Sequence, residues 1–313
     1  MELDGKGMYL EHFSLSEQPF SITPDTGFYF NNPTHQQAMN VLQVALRSGE
    51  GFIKITGEVG TGKTLLCRQL LNQLSNDDQY VTAYLPNPNL GPSALNLALA
   101  EEMGLDCSKN LNQHHVLKLI NQRLIELTSE GKKVVLLIDE AQAMPEKSLE
   151  AIRLLTNLET EKSKLLQIVL FGQPELNDML ESPSIRQLKQ RIVFSYALEP
   201  MCKDGVQAYL AHRLLTAGYA GVPLFSGRVL EQIYLASRGI PRLINILAHK
   251  SLMVAYGQGA KKVLPKHMQA AVDDTEDASS ANNSKHRWMV GMSGIAASVL
   301  IALGIYFYMV RLS

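Results

Sequence analysis

The octet GEVGTGKT, Gly57–Thr64, sits between the apolar run GFIKIT and the amphipathic stretch LLCRQLLNQL. Its glycines let the backbone turn with N–H groups facing inward, and a helix starting directly behind it points its positive end at the same place, an arrangement that suits phosphate oxygens. Lys63 is then placed to reach the terminal phosphates and the Thr64 hydroxyl to hold Mg²⁺. The predicted ATP-binding segment is Gly57, Glu58, Val59, Gly60, Thr61, Gly62, Lys63, Thr64 and Leu65. A second stretch, KKVVLLIDEAQ, ends an apolar run at Asp139 with Glu140 directly behind it. Asp139 at a strand end can share the magnesium with Thr64, and Glu140 can orient and activate an attacking water.

Four further polar residues fall where they could complete such a site. Gln173, in LFGQPEL, follows another apolar run and either belongs to a simple turn or contacts the γ-phosphate or the water. Arg186 and Arg191, in IRQLKQRIVF, are either surface residues or a finger reaching a neighbour's γ-phosphate. Arg242, in SRGIPRLINIL, opens a predicted helix of the second domain and is either a surface residue or one that swings onto the phosphates when the domains close.

These positions need a scaffold. The runs at 51–56, 80–86, 133–138, 165–171 and 192–198 are short, apolar and often β-branched, and segments of helical periodicity separate them. In HHVLKLINQRLIELTSEG, for example, Val116, Leu117, Ile120, Leu124 and Leu127 share one face. Strands alternating with helices predict a parallel sheet covered on both sides. After Pro200 only helical patterns follow, one over 205–218, one capped by Ser226, one behind Pro241 and a short one behind Pro265. The predicted domains are 1–200 (α/β), 201–272 (helical), 273–287 (polar linker) and 288–310 (membrane span).

Composition permits this. Of 313 residues, 46% are apolar and 19% charged, enough for packed cores. The net charge of −1 supplies no general attraction to nucleic acid. Cys67, Cys107 and Cys202 are scattered without metal-ligand spacing, which favours buried thiols in a reducing compartment. No charged-then-apolar leader opens the chain.

The C-terminal stretch is different. From Trp288 to Val310 no side chain is charged, and as a helix these residues would extend roughly 34 Å, enough to cross a bilayer core. Lys285, His286 and Arg287 flank one end and Arg311 the other, an imbalance that keeps the main body in the cytoplasm. Only Leu312 and Ser313 lie beyond Arg311, so the expectation is an anchor without a far-side domain.

Taken in order, the phosphate loop, LLIDEAQ, the arginine before the fifth strand and GIPR in a helical segment resemble AAA+ ATPases. MYLEHFSLSEQPFSITPDTGFYF and LETEKSKLLQIVLFGQPEL are similar, more narrowly, to the ExeA/GspA-type ATPases of secretion and pilus systems. The resemblance covers residues 8–272. It implies an α/β P-loop NTPase with a five-stranded parallel sheet of order 5-1-4-3-2, a small all-α lid domain and a C-terminal transmembrane helix. It makes Gly57–Thr64 the Walker A loop and Asp139 with Glu140 the Walker B pair, Glu140 being catalytic. Gln173 takes the sensor-1 position, Arg191 the arginine finger and Arg242 sensor 2, with sites between subunits of an oligomer. This chain departs from the pattern twice. Sensor 1 is more often Asn, Ser or Thr, and ExeA-type proteins continue past the span into a peptidoglycan-binding domain.

The leading expectation is a membrane-anchored ATPase of the bacterial inner membrane that uses ATP and Mg²⁺ to support assembly of a type IV, MSHA-like pilus or a secretion complex. Its partners would be further copies of itself and inner-membrane components of that machine. The alternatives are a nucleic-acid-associated helper ATPase, disfavoured by charge and by the span, and a scaffold gated by nucleotide without hydrolysis.

Overall fold

In a computed structural model of the chain, residues 8–22, 26–107, 112–156 and 164–278 are described. They divide into an α/β unit, residues 21–201 with 240–242, and a helical unit formed by residues up to 20, 202–239 and those from 243 onward.

The α/β unit is built on five parallel strands: β1 (Phe52–Gly57), β2 (Tyr80–Leu85), β3 (Lys133–Ile138), β4 (Leu166–Gly172) and β5 (Ile192–Leu198). Their order across the sheet is β2-β3-β4-β1-β5, which is the expected 5-1-4-3-2. Each strand lies within one residue of its predicted bounds, because each is an apolar run with a turn signal at either end.

Alternation along the central strands divides the core in two. Val134, Leu136 and Ile138 of β3 join Leu166, Ile168 and Leu170 of β4 on one face, under the helices Pro92–Glu102, Gln113–Ser129 and Glu146–Leu155. Val135, Leu137, Val169 and Phe171 face the other way, against the helices Pro33–Arg47 and Lys63–Ser75. Side chains two residues apart share a face in a strand, so a run apolar throughout must be covered on both sides. At the edge, β5 alternates instead, and Val193 is exposed. The predicted face of the helix Gln113–Ser129 is buried at Val116, Ile120, Leu124 and Leu127. Its N-cap Asn112 accepts a hydrogen bond from the His114 N–H.

The helical unit contains the helices Lys203–Thr216, Gly227–Ser237 and Pro265–Asp273, and most of Pro241–Gly257. It also takes in the N-terminal segment, which the sequence grouped with the α/β part. Tyr9, Phe13 and Phe20 are buried there. The Tyr9 hydroxyl pairs with His249 Nδ1 at 3.0 Å, and Phe20 meets Phe225 edge-on. The Ser16 N–H donates to the Ala217 carbonyl at 2.8 Å, and Arg213 donates to the Pro19 carbonyl. These aromatic rings cover apolar surface that the four helices alone would leave open.

No helix among the described residues is long and apolar enough to cross a membrane. The predicted span at 288–310 and most of the predicted linker, from 279 on, lie outside the described residues.

Candidate nucleotide site

Three strand ends of the α/β unit carry the predicted chemistry. β1 runs into the glycine loop, β3 into Asp139 and Glu140, and β4 into Gln173. β4 lies directly between β1 and β3, so the three carboxyl ends share one edge of the sheet.

The loop closes on itself as its sequence requires. Gly60 and Gly62 have φ of +83° and +97°, conformations an L side chain adopts only with strain. The Thr61 hydroxyl donates to the Glu58 carbonyl at 2.8 Å. Lys63 begins the helix Lys63–Ser75 and is buried at 5% exposure. Its ammonium donates to the carbonyls of Gly57 (2.8 Å) and Glu58 (3.0 Å). Burial pulls the Lys63 pKa below its ordinary value, and the nearby carboxylates of Glu140, Asp139, Glu58 and Glu175 work against that shift. Such a buried cation, satisfied only by neutral carbonyls, is matched to an anionic ligand.

Asp139 is buried at 3% exposure. Its carboxylate accepts a hydrogen bond from the Glu140 N–H at 2.9 Å and has the Thr64 hydroxyl as a polar neighbour. Burial raises its pKa, and the Thr64 hydroxyl and the Glu140 N–H oppose the rise. A hydroxyl beside a buried, under-compensated carboxylate is a hard-oxygen pair that fits Mg²⁺.

Glu140 itself has a left-handed backbone, φ +53° and ψ +39°. Its Oε2 accepts from Gln173 Nε2 at 3.1 Å and also from the Gln142 amide. The structure therefore puts Gln173 on the Glu140 carboxylate. Gln142 Oε1 in turn accepts from the Gln173 N–H at 2.9 Å.

The arginines separate. Arg186 opens the four-residue helix Arg186–Lys189 and is exposed. Arg191 precedes β5, whose first residue Ile192 is level with Phe52, while Gly57 is level with Leu198. Arg191 thus stands at the end of the sheet opposite the glycine loop, roughly 20 Å of strand away. There its guanidinium donates to the Thr156 hydroxyl at 3.3 Å. Arg242, expected in the helical domain, groups instead with the α/β unit together with Ile240 and Pro241. Its backbone N–H donates to the Gly60 carbonyl at 3.2 Å, while its side chain is exposed.

Two neighbours of the site were not singled out by sequence. His35, near the start of the helix Pro33–Arg47, is buried against Gly62 and hydrogen-bonds the Thr61 carbonyl at 2.9 Å through Nε2. Burial lowers its pKa, and the hydrogen bond to the Thr61 carbonyl works against that shift. Gln142 is the other. The one available signal was a polar residue inside the otherwise small and apolar AQAM.

Residues 46–180 match the family model described as an AAA domain. Over 298 residues, 95% of this chain, the sequence is 39% identical to General secretion pathway protein A of Aeromonas hydrophila. The chain covers 53% of that relative, about half its length. Among solved structures, Cdc6p of Pyrobaculum aerophilum is similar with a TM-score of 0.62 at 19% identity, over 80% of this chain and 71% of that one. The Aeropyrum pernix ORC1 protein, solved in complex with DNA, gives 0.56 at 18% identity, over 82% and 69%. At these identities the likeness is one of fold. The AAA match ends at residue 180, ahead of Arg186, Arg191 and Arg242.

Proposed function

We propose that this chain, carrying an AAA P-loop domain over residues 46–180, is a membrane-anchored, oligomeric ATPase. It would hydrolyse ATP to support assembly of an envelope secretion complex or a type IV, MSHA-like pilus. The observation that carries the enzymatic half is the buried Lys63 ammonium, held by two loop carbonyls at the end of β1, on the same sheet edge as the buried Asp139 carboxylate with Glu140 directly behind it. Likeness to General secretion pathway protein A supports the cellular half. The uncharged stretch from Trp288 to Val310 supports anchoring in the inner membrane, with the ATPase on the cytoplasmic side.

The chain's own residues divide the work. A triphosphate in the loop exchanges the two neutral carbonyls on Lys63 for anionic oxygens, which relieves the cost of burying that ammonium. The loop N–H groups and the start of the helix Lys63–Ser75 orient the phosphates. Thr64 and Asp139 would hold Mg²⁺, which when bound neutralises charge on the phosphate oxygens. Glu140 accepts the proton of the attacking water. Arg191 acts on a neighbour's nucleotide, since its own loop lies at the far end of the strands; Arg186 stands ready as the alternative finger. Arg242, held by its backbone to Gly60, is the sensor of the bound phosphates.

The experiment is a chromosomal Lys63→Ala substitution. It should abolish assembly of the appendage or secretion complex while the protein remains present at normal level in the inner membrane. Normal assembly in that strain would overturn the reading.

A further inference from the structure

Glu140 is held by two amides, and only one of them belongs to the expected site. In a helical or 3₁₀ segment, side chains two residues apart do not face each other. Glu140 and Gln142 nevertheless meet, because Glu140 has φ +53° while Ala141–Ala143 form a single 3₁₀ turn. A left-handed backbone is strained for a non-glycine residue, and such residues collect at functional sites. Among the described residues the only others are Ser14 and Arg238. The strained turn brings the Gln142 amide under the Glu140 carboxylate.

Gln142 then reaches a second strand. Its Nε2 donates to Glu140 Oε2 and its Oε1 accepts the Gln173 N–H at 2.9 Å. Gln173 Nε2 returns to the same Glu140 Oε2 at 3.1 Å. The ring of three hydrogen bonds joins the end of β3 to the end of β4. Both donors occupy one carboxylate oxygen and leave Oε1 with no protein donor among the described residues. Gly172 allows the approach: a Cβ there would stand 3.3 Å from Gln142 Oε1 and 2.7 Å from Leu176 Cδ2.

We infer that Gln142 is a positioning residue for the hydrolytic step. It fixes the rotamer of Glu140 so that Oε2 is spent on the two amides and Oε1 is presented to the attacking water. It touches no phosphate and acts only through Glu140. The inference rests on the ATPase reading above. A reacting carboxylate misplaced by about 1 Å can cost ~10²-fold in rate, so loss of one of two tethers should cost at least tenfold.

The test uses the full-length chain in single-turnover ATP hydrolysis, with ATP affinity measured alongside as a check of fold and site. Gln142→Met keeps the side-chain length and removes both polar contacts. It should bind ATP within about twofold of wild type and lose at least about tenfold in rate. In a Glu140→Ala background the same change should have no effect on the residual rate, because the group it positions is gone. Gln173→Met should also slow hydrolysis, with a loss that does not multiply with that of Gln142→Met. An unaltered rate in Gln142→Met would overturn the inference while leaving the ATPase reading standing. So would an equal loss in the Glu140→Ala background, which would mark a general structural effect. Absence of hydrolysis by the wild-type chain would instead bring down the ATPase reading, and this inference with it.

Discussion

The backbone N–H of Arg242 donates to the carbonyl of Gly60, 3.2 Å away, so the residue expected to sense phosphate is tied to the phosphate loop by its main chain. The fit is close: a Cβ built on Gly60 would lie 2.5 Å from the Cβ of Arg242. Gly60 also has φ +83°.

Gly60→Ala should therefore fail on two counts. The left-handed backbone alone costs about 1–2 kcal/mol, and the new methyl group must displace Arg242. Thermal melting should shift down by several degrees, by the usual conversion for a domain of this size, and ATP affinity should fall with it. Unchanged melting and unchanged affinity in this variant would contradict the described loop.

Asp139→Asn separates stability from function. Burial raises the Asp139 pKa above the ordinary carboxylate value. A folded-state pKa raised for an acid means the ionised form is penalised by folding. That penalty is absent below the unfolded value, about 4, and complete once pH exceeds the folded one. At neutral pH without Mg²⁺, Asp139→Asn should melt higher than wild type, and the difference should vanish as pH falls toward 4. Asn still offers an oxygen to the Glu140 N–H. Mg²⁺-dependent turnover should be lost in the same variant. A lower melting temperature at neutral pH would show that the carboxylate is stabilised by its surroundings.

Arg191 lies level with the start of β1, away from its own glycine loop. A finger acting on a neighbour's nucleotide can be worth ~10³–10⁵ in rate. Arg191→Ala alone should therefore be nearly inactive, as should Glu140→Gln alone. Mixed, they should recover partial activity, because some sites pair an intact Glu140 with an intact Arg191 from the next subunit. No recovery at any mixing ratio would argue that Arg191 stays with Thr156 in a structural role; the same experiment on Arg186 then decides the alternative.

Much of this could be read in the residues beforehand, for local reasons. Runs such as KVVLLI and LLQIVLF are apolar at both parities, and only a strand covered on two sides uses both. Asp139 and Glu140 follow one such run directly, so the strand end and the carboxylates could be placed together. What escaped depends on contacts distant in the chain or on a single torsion. Tyr9 finds His249, and Ser16 finds Ala217, across more than 200 residues. Nothing in the local pattern of the N-terminal segment announces those partners. Gln142 looks like a solvent-facing residue of a short turn until Glu140 takes a positive φ. For Gln173 the sequence leaves a simple turn and a contact with the phosphate or the water both open, and the amide is directed to Glu140. A strand end can be located from periodicity, whereas the direction of an amide on it is set by packing.

The central claim is that Gly57–Thr64, Asp139 and Glu140 form a site that both binds and cleaves ATP. The most direct measurement compares ATP binding and Mg²⁺-dependent turnover in full-length wild type and Glu140→Gln. The wild type should release phosphate, and Glu140→Gln should retain bound ATP at wild-type affinity with turnover reduced ~10²-fold or more. Phosphate release by Glu140→Gln at the wild-type rate would contradict the account.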